Sequence, residues 1–103
     1  MAFMKVAAVQ EVPPGTAKQV EAGGRTLAVF NVNGSFHIID DTCTHEGGPL
    51  SEGDLEGQEV TCPWHAARFD VTTGAHLSPP APSDVACYKV QIVGDEVQAD
   101  LPD

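Results

Sequence analysis

Near the C-terminal end of the chain, Tyr88, Val90 and Ile92 alternate with Lys89 and Gln91. That two-residue period belongs to a half-buried strand, and it predicts one from Val85 to Val93. Gly94-Asp95 reads as a hairpin turn leading into a last strand, Glu96 to Asp100. The N-terminal half has the same texture. Phe3 to Gln10 is apolar and partly β-branched, and Pro13-Pro14-Gly15 ends it, since proline cannot donate to a ladder and glycine eases a turn. Ala17 to Glu21 predicts a second strand, closed by Gly23-Gly24, and Thr26 to Val32 a third. Asn33-Gly34 follows, the dipeptide suited to a two-residue hairpin because both residues tolerate positive φ, with Ser35 to Asp40 as the partner strand.

From Asp41 to about Pro82 glycine and proline become frequent. Gln58 to Thr61 and Arg68 to Val71 predict short strands, Thr72-Thr73-Gly74 a turn, and Pro79-Pro80-Ala81-Pro82 a stiff, extended segment. No segment has a helical period. The sum is an all-β, antiparallel protein forming a single domain over 1–103, with loops inserted at approximately 41–82.

Charge narrows the partners. The formal net charge is -10, with only five lysines and arginines. This argues against nucleic acid or an anionic membrane and favours a basic protein partner. The first ten residues are broken by Lys5 and lack a long apolar run, so neither a secretory signal nor a membrane span is expected. The three cysteines are an odd number, which disfavours a disulfide framework and fits a reducing cytoplasm.

The candidate chemistry lies in two short stretches, Cys43-Thr44-His45 and Cys62-Pro63-Trp64-His65, with sixteen residues between His45 and Cys62. Thiolate and imidazole are ligands that soft and borderline metals prefer, and four of them complete one site. Tetrahedral zinc is one reading. Zinc fingers usually cluster cysteine with cysteine and histidine with histidine, whereas here each loop supplies one of each. That order suits a two-metal cluster with one iron held by both thiolates and the other by both imidazoles.

At these residues the sequence resembles the Rieske family: the two stretches match its cysteine-x-histidine and cysteine-x-x-histidine boxes. Together with Phe69-Asp70-Val71-Thr72-Thr73-Gly74 and the proline segment, they make the whole chain similar to the small Rieske-type ferredoxins of bacterial aromatic-ring dioxygenase systems. The resemblance implies three antiparallel sheets with a cluster-binding subdomain at one tip. It implies one [2Fe-2S] cluster, with Cys43 and Cys62 on the inner iron and His45 and His65 on an outer iron near the surface. It implies a cytoplasmic, monomeric electron carrier, not an enzyme, that passes electrons from a flavin-containing NAD(P)H-dependent ferredoxin reductase to a terminal oxygenase. A small subunit of a larger reductase or oxygenase and a zinc-stabilised interaction module are the other readings.

Departures from the family's high-potential branch also carry meaning. Gly48 and Trp64 stand where that branch has two further cysteines joined as a disulfide. Ala67 and Phe69 stand where it has serine and tyrosine hydroxyls. Hydrogen bonds to the cluster sulfur and the ligand cysteine stabilise the added electron, so their absence predicts the low end of the Rieske range, roughly -150 mV.

The remaining residues have plainer expectations. Glu46, Glu52, Asp54, Glu56 and Glu59 form a solvated acidic loop or a docking surface for basic partners. Trp64 is expected to shield the cluster, with a core plug as the alternative, and Pro79, Pro80 and Pro82 to pack near it. His37 and His76 are read as surface or structural histidines, Cys87 as a buried free thiol, Tyr88 as core with its hydroxyl at an edge, Arg68 as half of a salt bridge, and Asp70 as a turn former.

Overall fold

The computed structural model describes residues 2–42, 48–63, 67–77 and 84–101. Among the described residues ten strands form three antiparallel sheets, and there is no α-helix, only two single-turn 3-10 segments, Val9–Glu11 and Leu50–Glu52. Among the described residues no helix is long and apolar enough to cross a membrane.

The middle layer is a four-stranded sheet in the order β2 (Ala17–Ala22), β3 (Arg25–Val32), β4 (Ser35–Asp40) and β8 (Cys87–Tyr88). Successive side chains on a strand point to opposite faces, and β3 is buried on both. Leu27 and Val29 enter a core shared with Val97, Ala99 and Leu101, while Ala28 and Phe30 enter a second core with Val60, Cys62 and Phe69. On β4, Ile38 and Ile39 divide between the two cores in the same way.

The first core is covered by a sheet in the order β1 (Ala2–Ala8), β10 (Glu96–Leu101) and β9 (Val90–Val93). The second is covered by a small sheet of three three-residue strands, β5 (Asp54–Glu56), β6 (Glu59–Thr61) and β7 (Arg68–Asp70). Its inward residues Leu55, Val60 and Phe69 sit opposite one another across the strands, so the small sheet rests on the face of the central sheet that carries Phe30 and Ile39.

The β3–β4 hairpin has the predicted turn, with Asn33 at φ 53° and Gly34 at φ 95°. The single strand expected from Val85 to Val93 is instead two. Tyr88 pairs with Ile38 in the central sheet, Val90 pairs with Ala99 in the other, and the chain changes sheets at Lys89. Tyr88 is buried, and its hydroxyl donates to Asp40 Oδ1 at 2.6 Å and accepts from Arg25 Nη1 at 3.2 Å. Burial and the Asp40 bond push that phenol's pKa up.

Cys87 is exposed, not buried as its β-rich neighbourhood suggested. It lies on the edge strand β8, beside Thr72 and Gly74. Its Sγ reaches the Thr72 carbonyl at 3.5 Å.

Candidate metal centre

Both cysteine-histidine boxes begin where regular structure stops. Cys43 and His45 of the first, and Trp64 and His65 of the second, lie outside the described residues, as do Glu46 and the segment from Pro79 to Pro82. Their flanking stems and Cys62 are described, and these fix where the boxes start and end.

The first stem is built around Asp41, directly after β4. Its backbone donates to the Thr26 carbonyl at 3.1 Å, and its carbonyl accepts from Leu50 N at 2.7 Å. Thr42 then bridges Pro49, closing the loop that carries Cys43 and His45. The second stem is the end of the β6–β7 hairpin, where Cys62 N donates to the Ala67 carbonyl at 2.7 Å. Two contacts set the stems side by side. Leu50 is buried in the same cluster as Cys62 and Ala67. Gly53 lies so close to β6 that a Cβ there would fall 2.2 Å from the Thr61 carbonyl oxygen, which excludes any other residue without a backbone shift.

The residues that flank 78–83 are fixed beside them. Leu77 N donates to the Arg68 carbonyl at 2.8 Å, next to Ala67. At the far side, Val85 N donates to the Gly74 carbonyl at 2.9 Å, and Asp84 binds both the backbone and the ring of His76. The His76 N–H groups hold the Asp84 carboxyl below its ordinary pKa. His76 is therefore engaged in a structural pair, and His37 is half-buried on β4.

Asp70 organises the turn between these stems. Its Oδ1 accepts from Thr72 N at 2.8 Å and Thr72 Oγ1 at 2.6 Å, and its Oδ2 accepts from Gln58 Nε2 at 2.7 Å. Burial pushes its pKa up, but the Thr72 and Gln58 bonds outweigh it, so the net shift is downward. Replacing Asp70 by alanine is expected to cost about 1–2 kcal/mol, the usual worth of a few partly solvated hydrogen bonds. A carboxyl with a depressed folded-state pKa stabilises fully above its unfolded value, near 3.9, and loses that contribution as pH falls through the lower folded value. The urea midpoints of wild type and Asp70→Ala should thus differ at neutral pH and converge below about pH 4.

Cys62 has the surroundings of a ligand on the inner side of a metal centre. It is 2 % exposed, and its neighbours Leu50, Val60, Ala67, Phe69, Val71 and Val85 are apolar and buried. Such a shell excludes water and lowers the local dielectric. Ala67 and Phe69 are fully buried in it, so the two positions expected to lack hydroxyls face the Cys62 core.

Chain comparisons decide between the metal readings. A family model for the Rieske [2Fe-2S] domain matches residues 2–89. The chain belongs to the Rieske family. The ferredoxin subunit of a biphenyl dioxygenase from a Pseudomonas species is 43% identical over 102 residues, covering 98% of this chain and 94% of that protein. The ferredoxin component of a naphthalene 1,2-dioxygenase system from Pseudomonas aeruginosa is 38% identical, covering 96% and 95%. A solved ferredoxin from Sphingomonas yanoikuyae superposes with a TM-score of 0.92 at 31% identity, over 98% of this chain and 100% of that one.

This Rieske protein is accordingly an electron carrier, not itself a catalyst, and its cofactor is a Rieske-type [2Fe-2S] cluster. The described donor fits that group: a buried thiol in a dry apolar shell, with both boxes leaving from adjoining stems. Bound there, the cluster supplies reversible one-electron storage. The chain's own contribution is to hold it, exclude water on the Cys62 side and tune its potential. Sequence reading missed Asp41, a buried carboxylate beside the first box. Its local signal was only an Asp-Asp pair at the end of a predicted strand.

Proposed function

We propose that this chain shuttles single electrons from a flavin-containing NAD(P)H-dependent reductase to a terminal ring-hydroxylating oxygenase in aromatic compound catabolism. In this reading Cys43 and Cys62 hold the inner iron and His45 and His65 the outer one. The protein works as a cytoplasmic monomer, and 41–82 forms the cluster-binding subdomain within the domain 1–103. The observation that carries the proposal is the convergence of the two box stems beside buried Cys62. The full-length similarity to dioxygenase ferredoxin components supports the partners. So does a solved complex of reduced oxygenase and oxidised ferredoxin in carbazole 1,9a-dioxygenase, whose matching chain is 37% identical with a TM-score of 0.88 over 94% of this chain and 91% of that one.

The buried Ala67 and Phe69 place no hydroxyl beside the Cys62 core. A midpoint near -150 mV, the low end of the Rieske range, is expected by spectroelectrochemistry. A value well above zero would contradict it.

The outer face of the small sheet supports a basic partner. Glu56 stands directly opposite Glu59, and Glu59 opposite Asp70. Like charges in cross-strand pairs cost stability, and Arg68 offsets some of this through its 3.2 Å pair with Glu59. Charge of this kind mainly raises association rates and is screened by salt. With reductase and a ring-hydroxylating oxygenase supplied, product formation should require this chain and slow strongly between low and high salt. Equal product without the chain would overturn the carrier role, and indifference to salt would remove the acidic face from docking.

A further inference from the structure

We propose that Asp41 is a positioning residue for the metal centre, locking both arms of the first box to the central sheet. The inference rests on the ligand reading above and adds a role for a residue outside the ligand set.

Asp41 and Asn31 are the buried polar side chains among the described residues, 2% and 3% exposed. Burying a carboxylate is costly unless its oxygens are satisfied. Those of Asp41 are. Gln19 Nε2 on β2 donates to Oδ2 at 2.6 Å, and Ser51 N donates to Oδ1 at 2.6 Å. With the backbone bonds to Thr26 and Leu50, one residue ties β2 and β3 to the outgoing and the returning arm of the loop. The Ser51 hydroxyl is itself buried without a hydrogen-bond partner among the described residues, and the Asp41 carboxylate anchors that residue by its amide.

Chain geometry carries the effect to the ligands. Two residues span at most about 7 Å, so Cys43 cannot move independently of Asp41. On the other arm, the held segment runs through Gly53, which abuts Thr61 immediately before Cys62. Asp41 therefore sets the separation of the two boxes as well as the seat of the first. An ionised carboxylate only accepts, which matches two converging N–H donors. Asparagine has the same shape but would turn an NH2 group against one of them. Asn31 is the control. Its side chain joins Val12 and Gly34, neither of which adjoins a box.

The test compares Asp41→Asn, Gln19→Met and Asn31→Ser as iron-loaded proteins, by electron paramagnetic resonance, midpoint potential, thermal midpoint and rate of iron release to a chelator. Asp41→Asn is expected to alter the Rieske signal, raise the potential by removing a nearby negative charge, and release iron about 10-fold faster, the lower range for loss of a contact that supports metal ligands. Gln19→Met, on an exposed strand position, removes one of the two donors but keeps the charge, so it should alter the signal and speed iron release by less, without the rise in potential, and it serves if Asp41→Asn does not fold. Asn31→Ser should lower the thermal midpoint and leave signal and potential unchanged. The proposal is overturned if a folded Asp41→Asn keeps wild-type signal, potential and release rate, if Gln19→Met is silent when it alone can be measured, or if Asn31→Ser shifts the signal as much. Wild type without a Rieske signal would instead overturn the ligand reading on which the proposal stands.

Discussion

Alanine at His45 or His65 is expected to remove the Rieske spectrum and all electron transfer. In the proposed ligation each imidazole supplies one of the two nitrogen bonds to the outer iron, and alanine would leave that iron short of a ligand with no substitute on the same side chain. Because ligand bonds formed only in the fold add to folding free energy, the variants should also melt earlier than wild type. His76→Ala makes the matching control. His76 pairs with Asp84 and stands outside the proposed ligand set, so its loss should leave the spectrum in place. Iron content and electron paramagnetic resonance of the dithionite-reduced variants check this. An unchanged spectrum in His45→Ala or His65→Ala would refute the ligand assignment.

Phe69→Ala should remove a large share of the stability of the fold. Phe69 is fully buried at the centre of β7, pairs with Val60, bridges His76, and packs in the cluster that holds Cys62. Truncating a buried phenylalanine costs about 3–5 kcal/mol through lost transfer energy and the cavity left behind. A domain of 103 residues has about 5–15 kcal/mol in total. Phe3, 39% exposed on β1, offers the comparison, and Phe3→Ala should cost about 1 kcal/mol or less. Urea unfolding of the two variants reads the difference. Equal midpoints would mean that the small sheet is not what supports the site.

Both predictions rest on features of unequal legibility in the sequence. The β3–β4 hairpin was plain because Asn33-Gly34 fixes the turn and apolar runs flank it. The salt bridge of Arg68, the turn role of Asp70 and the hydroxyl of Tyr88 at an edge followed from local chemistry. Strand β5 was not legible. Asp54-Leu55-Glu56 carries one apolar residue between two acids, and only pairing with β6 makes it a strand.

The change of sheets at Lys89 was hidden for a related reason. The two-residue alternation continues through it unbroken, while the partner changes from Ile38 to Ala99. Cys87 looked like core because its neighbours do, yet only long-range order decides which strand lies at an edge. Asp40 and Asp41 are indistinguishable in sequence. The fold gives one to Tyr88 and buries the other under Gln19 and Ser51. For the site, cysteine and histidine types and order point to the four proposed donors, since metal preference is chemistry local to each side chain. The adjoining of their stems is tertiary, and it depends on residues such as Gly53 that carry no ligand chemistry.

The central claim is that this chain carries a two-iron cluster with mixed sulfur and nitrogen ligation. Analysis of iron and acid-labile sulfide in matured protein, with the reduced sample examined by electron paramagnetic resonance, tests it most directly. The account predicts a red-brown protein with about two irons and two sulfides per chain and a Rieske-type signal on reduction. A colourless protein holding zinc without sulfide would contradict it.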